Sequence, residues 1–201
     1  NEGSNVRAFV LGVDGAWEVN PVTKGWSFVL NGGTPINDMW GMITFDDSTG
    51  KKVSRWYYFD GQSTMATGWV YDSKNGNWYY MNTNEGPDLG QMVTGWVKDP
   101  KTSKWYYMND NTGILKTGWH KDPQDGRWYY LNSNGEMLTG WQNIGGKWYY
   151  FNTNTPENTY AWDAAAFKWN YLNNSVRPYG SMYAGEKTPD GYTVDANGAW
   201  N

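Results

Sequence analysis

One aromatic cassette recurs down this chain of 201 residues. Its clearest copies read TGWVYDSKNGNWYYMN from Thr67, TGWVKDPKTSKWYYMN from Thr94, TGWHKDPQDGRWYYLN from Thr117 and TGWQNIGGKWYYFN from Thr139. A repeat of about 20–27 residues implies units that bury their faces against one another, which is the signature of a solenoid. The hydrophobic fraction is 39%, and fifteen Trp and sixteen Tyr carry much of it. Aromatic rings bury roughly 150–250 Å² each, so they can stabilise a thin stack that aliphatic side chains are too few to fill.

Two marks organise the repeat. The Trp of Gly-Trp falls at Trp69, Trp96, Trp119, Trp141 and Trp162, and the Trp of Trp-Tyr-Tyr at Trp78, Trp105, Trp128, Trp148 and Trp169. Their separations are 9, 9, 9, 7 and 7 residues, so only a turn varies in length. The flanking segments are rich in Trp, Tyr, Val and Phe, which favour strands. Asn75-Gly76, Asp125-Gly126 and Gly145-Gly146 are hairpin turn signals. Worn copies follow the same spacing. Trp17 and Trp26 are 9 apart, Trp40 and Trp56 are 16 apart across a longer tip at 46–52, and Tyr183 and Tyr192 are 9 apart. The expectation is an all-β solenoid of about eight β-hairpins. It forms one array over 1–201, with degenerate repeats over 1–60, regular repeats over 61–152, and degenerate repeats with a terminal cap over 153–201. Phe9 to Trp17 aligns with Tyr192 to Trp200, so the chain is expected to begin on the second strand of a hairpin, as a fragment or as a cap.

The formal net charge of −4 argues against nucleic acid as a partner. No apolar run is long enough to span a membrane. The absence of cysteine fits an exported protein and excludes thiol catalysis and disulfide staples. No signal-peptide pattern is present, so an exported chain would be a mature piece.

The cassettes closely resemble the choline-binding, or cell-wall-binding, repeats of Gram-positive surface proteins and wall hydrolases. Gly90-Gln91-Met92-Val93-Thr94-Gly95-Trp96 and Gly135-Glu136-Met137-Leu138-Thr139-Gly140-Trp141 match that family's connecting motif in full. The resemblance covers nearly the whole chain. It implies a superhelical stack of hairpins holding choline in aromatic cages, secretion to the cell surface, and attachment to choline-bearing teichoic acid in the wall. It also implies a Met wall for each cage, for which Met65, Met92 and Met137 stand four residues before a Gly-Trp tryptophan. Leu115 takes this place before Trp119 and Asn158 before Trp162. Self-association of array ends, hence a homodimer, is a further expectation from the family.

The chemistry of the cassette points the same way. Residues i and i+2 of a strand share a face. Trp78 therefore points with Tyr80, Trp105 with Tyr107, Trp128 with Tyr130 and Trp148 with Tyr150, while the intervening Tyr79, Tyr106, Tyr129 and Tyr149 point to the spine. Rings open at a junction suit a quaternary ammonium ion, at roughly 0.5–2 kcal/mol per ring. Three rings would give affinity near the millimolar range, which linked sites raise by roughly 10²–10⁴-fold. The candidate ligand-binding residues are Trp69, Trp78, Tyr80, Met92, Trp96, Trp105, Tyr107, Trp119, Trp128, Tyr130, Met137, Trp141, Trp148, Tyr150, Trp162 and Trp169.

Catalysis finds no support, and no cofactor or metal is expected. The single histidine, His120, stands where sister repeats have Val70, Val97 and Gln142, and reads as a solvent-facing substitution. Asp46, Asp47, Asp122 and Asp125 read as turn formers at hairpin tips. Asp110-Asn111-Thr112-Gly113 hints at a calcium loop but reads as a plain turn. The function expected is noncovalent wall anchoring. The alternatives are a wall-glucan binder, the tail of a wall hydrolase whose active part lies elsewhere, and an adhesin that meets a host protein through Trp40 and the 46–52 tip.

Overall fold

The structure is a computed structural model and describes residues 6–154, 160–163, 168–171 and 177–201. The described residues are all β and turn, and none of them forms a helix long and apolar enough to cross a membrane. Two compact units divide the chain, Asn1–Val93 and Thr94–Asn201. In each unit the cassettes form a series of antiparallel hairpins that pack as an open stack.

The first unit contains β1 (Val6–Val10), β2 (Gly15–Val19), β3 (Trp26–Leu30), β4 (Met39–Asp46), β5 (Lys52–Phe59), β6 (Gly68–Asp72) and β7 (Asn77–Met81). β2 pairs with β3, β4 with β5 and β6 with β7. Among the described residues β1 pairs in parallel with β4, and any hairpin partner before it lies outside them. Its Phe9 packs 5.5 Å from Phe28, in a core with Ile43, Tyr57 and Phe59.

The second unit contains β8 (Gly95–Lys98), β9 (Trp105–Met108), β10 (Gly118–Lys121), β11 (Trp128–Leu131), β12 (Gly140–Ile144), β13 (Lys147–Phe151), β14 (Tyr160–Asp163), β15 (Lys168–Tyr171) and β16 (Ala199–Trp200). The regular hairpins share one register. Trp69 faces Tyr80, Trp96 faces Tyr107, Trp119 faces Tyr130 and Trp141 faces Tyr150. The turn signals act as expected. Gly145 and Gly146 both take positive φ (61° and 86°), as a tight two-residue hairpin turn needs.

A repeat is more than a hairpin. After each second strand the chain turns back, and its Met or Leu bridges the last apolar residue of that strand. The pairs are Phe59 with Met65, Met81 with Met92, Met108 with Leu115 and Leu131 with Met137. The same segment reaches the preceding hairpin. The Met65 amide donates to the Trp26 carbonyl (2.7 Å), Met92 to Trp56 (2.9 Å), and Met137 to Trp105 (2.9 Å). The residue two positions earlier takes positive φ, as Ser63 before Met65 and as glycine before Met92 and Met137. Gly135 has φ +81°, and a Cβ on it would lie 2.6 Å from the Leu115 side chain, while Gly90 would meet Met65 at 2.3 Å.

The C-terminal third departs from simple repetition. The bridge partner of Phe151 is Met182, and the Met182 amide donates to the Trp128 carbonyl (2.8 Å). Gly180-Ser181-Met182 thus closes the β12–β13 repeat, and the β14–β15 hairpin is inserted within its turn. β14–β15 also has its own register, with Trp162 directly opposite Trp169. Asn158 lies outside the described residues. The last hairpin exists, but Tyr183 is not one of its strands. Lys187 bridges Thr193, and Gly185 has the positive φ of the Gly-Trp glycines, so Glu186 holds the tryptophan position. The spacing of nine between Tyr183 and Tyr192 misplaced that strand by three residues. The reason is that backbone pairing, here anchored at Met182, sets the frame. Gly198-Ala199-Trp200 then repeats the Gly-x-Met segment, with β16 pairing to β13.

Replacing Gly135 with Ala should cost about 1–3 kcal/mol, from positive φ and collision with Leu115. Gly126→Ala, at φ +68° but with open space around it, should cost only the backbone part. Urea unfolding of the two variants measures the difference, and equal losses would remove the packing argument.

Candidate functional site

Each regular hairpin gathers its own rings. Trp69 lies 6.4 Å from Trp78 and 5.0 Å from Tyr80, at 84° and 75°. Trp96 meets Trp105 at 6.5 Å and Tyr107 at 5.1 Å. Trp119 meets Trp128 at 6.2 Å and Tyr130 at 5.1 Å. The near-perpendicular packing leaves ring faces available rather than stacked on one another. Trp141 meets Tyr150 at 5.2 Å, and Trp148 pairs with Asn143. Burial separates the marks: Trp78, Trp128 and Trp148 are 44%, 40% and 42% exposed, whereas Tyr80, Tyr107 and Tyr150 are buried.

The neighbouring hairpin supplies a ring from an unexpected position. The first Tyr of Trp-Tyr-Tyr, assigned to the spine by alternation, is buried at Tyr79, Tyr106 and Tyr129 and half-buried at Tyr149, and Tyr79, Tyr129 and Tyr149 also close on the tryptophan of the hairpin before. Trp40 meets Tyr79 at 4.7 Å, Trp96 meets Tyr129 at 5.0 Å, and Trp119 meets Tyr149 at 4.9 Å. The indole N–H is held as well. Trp40 Nε1 donates to Asp72 Oδ2 (2.9 Å), and Trp96 Nε1 donates to Asp122 Oδ2. Asp72 and Asp122 are buried, and each also caps its own turn, accepting from the amides of Lys74 and Gln124. They are therefore more than turn formers. The signal was in the sequence as an Asp three residues after each of Trp69, Trp96 and Trp119. Trp40 itself is buried and bonded, so it is not a free contact for a host protein.

The best-formed site lies in the second unit. Trp96, Trp105, Tyr129 and Met137 line a cavity of about 700 Å³, with Asp122 and Asp125 beside them. The Met137 amide bonds the Trp105 carbonyl, and its thioether lies over Gly180. Trp169 lines the same cavity, 5.3 Å from Trp105 and 5.9 Å from Trp162. Burial raises the pKa of Asp125, which accepts from the Tyr129 hydroxyl (2.5 Å). An equivalent set forms from Trp119, Trp128, Tyr149 and, by backbone register, Met182. Trp141 sits against Tyr192 (5.8 Å, 90°), which meets Trp200 at 5.8 Å, and Trp141 Nε1 donates to Asp190 Oδ2 (2.8 Å). Tyr129, Tyr149, Tyr192, Trp200 and Met182 were not among the expected site residues. Met92 is set beside Trp56 rather than Trp96.

The choline-binding repeat model matches residues 48–89 and 116–157, and the putative cell wall binding repeat model matches 94–114, together more than half of the chain. The chain belongs to the choline-binding repeat family. Among solved structures, CbpF of Streptococcus pneumoniae in complex with ipratropium is 30% identical, over 92% of this chain and 58% of its own, with a TM-score of 0.55. The pneumococcal cell wall endolysin from phage Cp-1, complexed with choline, is 35% identical over 71% of this chain and 36% of its own (TM-score 0.45). The choline binding domain of Spr1274 in Streptococcus pneumoniae is 34% identical, over 54% of this chain and 95% of its own (TM-score 0.35). This choline-binding repeat array thus spans a little over half the length of the CbpF chains it matches. No curated protein matches it.

His120 corrects the sequence reading. It is 2% exposed, not solvent-facing, because the residue after a Gly-Trp tryptophan points inward, as the buried Val70 and Val97 do. Its ring lies 3.8 Å from Tyr107 and 5.5 Å from Trp96, and Nδ1 pairs with Lys116 Nζ at 2.9 Å. Burial first, and the Lys116 charge second, push its pKa from 6.5 down to about 4. It is therefore neutral when folded. The stability this provides is full above about pH 6.5 and drains away as the pH falls towards 4. His120→Val should lose less stability between pH 7 and 4.5, by on the order of 2 kcal/mol, in denaturant titrations at the two pH values. An unchanged pH slope would contradict the assignment. The 110–113 segment is a plain turn: Asn109 Oδ1 accepts the Asn111 and Thr112 amides, and Asp110 accepts from the Tyr107 hydroxyl.

Proposed function

We propose that this chain is a noncovalent wall-anchoring module whose ring sets hold the choline of teichoic acids at the surface of a Gram-positive cell. One observation carries the reading. Trp96, Trp105 and Tyr129 come from two successive hairpins to line one cavity with Met137 and two carboxylates. Those ring faces attract a soft cation, while the walls exclude water. Choline and ipratropium, present in the endolysin and CbpF complexes, both carry a quaternary ammonium group.

A site consists of the two tryptophans of one hairpin, the first Tyr of the next and the Met that follows it. By this rule the sites of the second unit are Trp96-Trp105-Tyr129-Met137 and Trp119-Trp128-Tyr149-Met182. The first unit adds the sets Trp17-Trp26-Tyr57-Met65 and Trp40-Trp56-Tyr79-Met92, in which Trp40, Tyr57, Met65 and Tyr79 are buried. A terminal variant, Trp141-Trp148-Tyr192-Trp200, has Trp in the Met place. Tyr80, Tyr107, Tyr130 and Tyr150 support the first tryptophan from within its own hairpin. The chain supplies binding, and any catalysis belongs to whatever it is joined to. Each site is weak, and the array gains its hold by engaging several cholines of one polymer.

Choline titration followed by Trp fluorescence and thermal melting tests the reading, with glucose oligomers as the control. Saturation at millimolar choline is expected. At about 100 times Kd, each site should add about 2.7 kcal/mol of stability. Trp128→Ala, at an exposed position, should remove one site and lower the stoichiometry by one. A response to glucan without a response to choline would move the function to carbohydrate binding.

A further inference from the structure

The described residues of the β14–β15 insertion line one site, that of Trp96 and Trp105. In the preceding repeat the chain returns from Leu131 to Met137 in six residues, whereas from Phe151 to Met182 it takes thirty-one. The hairpin built from that excursion lays Lys168, Trp169 and Asn170 on the cavity of Trp96 and Trp105. Trp128 and Trp148 of the other ring sets are exposed. At about 700 Å³ the covered cavity falls within the range of drug-sized ligand sites, far larger than a trimethylammonium group requires.

Its charges are also mixed, with Asp122 and Asp125 set beside two cations. Arg127 and Lys168 both line it, and among the described residues neither forms an ion pair. The lining carboxylates accept hydrogen bonds from neutral donors, and the Arg127 charge also acts on Asp125. Asp122 accepts from the Trp96 indole and the Gln124 amide, and Asp125 from the Tyr129 hydroxyl and the Arg127 amide. Two available cations beside an aromatic cage suit a ligand whose quaternary ammonium carries an anion nearby.

Building on the cage reading, we propose that this cavity takes a choline phosphodiester. Its trimethylammonium lies among Trp96, Trp105 and Tyr129, and its phosphate between Arg127 and Lys168. The two cations come from separate hairpins, and a tetrahedral phosphate has oxygens to meet both. Trp169 is the wall that holds the ester portion. The inserted hairpin thereby makes one site selective for the attached form of choline over the free alcohol.

The test uses the full chain with ¹⁵N-labelled indoles. Choline, glycerophosphocholine and glycerol phosphate are titrated in turn while the Trp105, Trp169 and Trp128 indole signals are followed. Glycerophosphocholine should bind at Trp105 and Trp169 about fivefold or more tightly than choline, with no such preference at Trp128. Lys168→Ala and Arg127→Ala should each reduce the preference, and together abolish it, while choline still binds at Trp128. Equal affinities at Trp105, or a preference that survives the double variant, would overturn the proposal and leave the cage reading intact. Tight binding of glycerol phosphate alone would replace it with a plain anion site. Silence at Trp128 towards both choline compounds would overturn the cage reading and this inference with it.

Discussion

Everything in this molecule hangs on one ring held between two hairpins. The Gly-Trp tryptophan packs edge-on against a Tyr of its own hairpin and against the first Tyr of the next, and its indole N–H is fixed by a carboxylate of that next hairpin. Trp40, Tyr79 and Asp72 show the arrangement in the first unit, and Trp96, Tyr129 and Asp122 in the second. A two-stranded hairpin is marginal in water by itself. Rings interlocked with both neighbours convert a row of marginal hairpins into a stack, at about 0.5–1.5 kcal/mol per aromatic pair beyond the burial itself. The buried indole–carboxylate bond adds direction, because an unpaired N–H there would cost about 1–3 kcal/mol.

In the proposed function the same rings serve fold and ligand. Because the site is assembled at the contact between hairpins, nothing needs to be carved out of a core to make it. The exposed tryptophans Trp78, Trp128 and Trp148 are the side that packing leaves unused. Stability and binding are therefore coupled at each junction, and a ligand that completes the ring set also tightens the stack. The Gly-x-Met segment is the second fastener. Its Met amide reaches the carbonyl of the preceding hairpin, and its glycine leaves space for the Met or Leu of the repeat before.

Repetition also makes departures readable. Backbone pairing identifies Met182 as the partner of Phe151, so β14–β15 becomes an insertion rather than a seventh equal repeat. An insertion at a turn leaves the ladder intact, since it adds chain only where no strand is interrupted. Its described residues line one site, where Trp169 and Lys168 join Trp96 and Trp105.

Much was legible in the sequence because period and turn chemistry are local. The Gly-Trp and Trp-Tyr-Tyr marks place every regular hairpin, Gly145-Gly146 places a turn, and the alternation rule brings Trp105 and Tyr107 onto the face of Trp96. What alternation could not reveal is that the opposite face of one hairpin is the near wall of the next site, which is how Tyr129 and Tyr149 join the rings. Asp122 looked like a turn residue because its turn-capping bonds are local, while its bond to Trp96 spans 26 residues. His120 looked solvent-facing because its sister residues were compared for chemistry and not for burial. The sequence by itself determined the repeat, the hairpins and the family, since strand propensity, glycine turns and spacing act within one cassette. Tertiary structure alone decided which rings share a site, which Met closes it and which site the inserted hairpin covers. Those contacts join separate cassettes, and their register is set by backbone bonds that no single cassette contains.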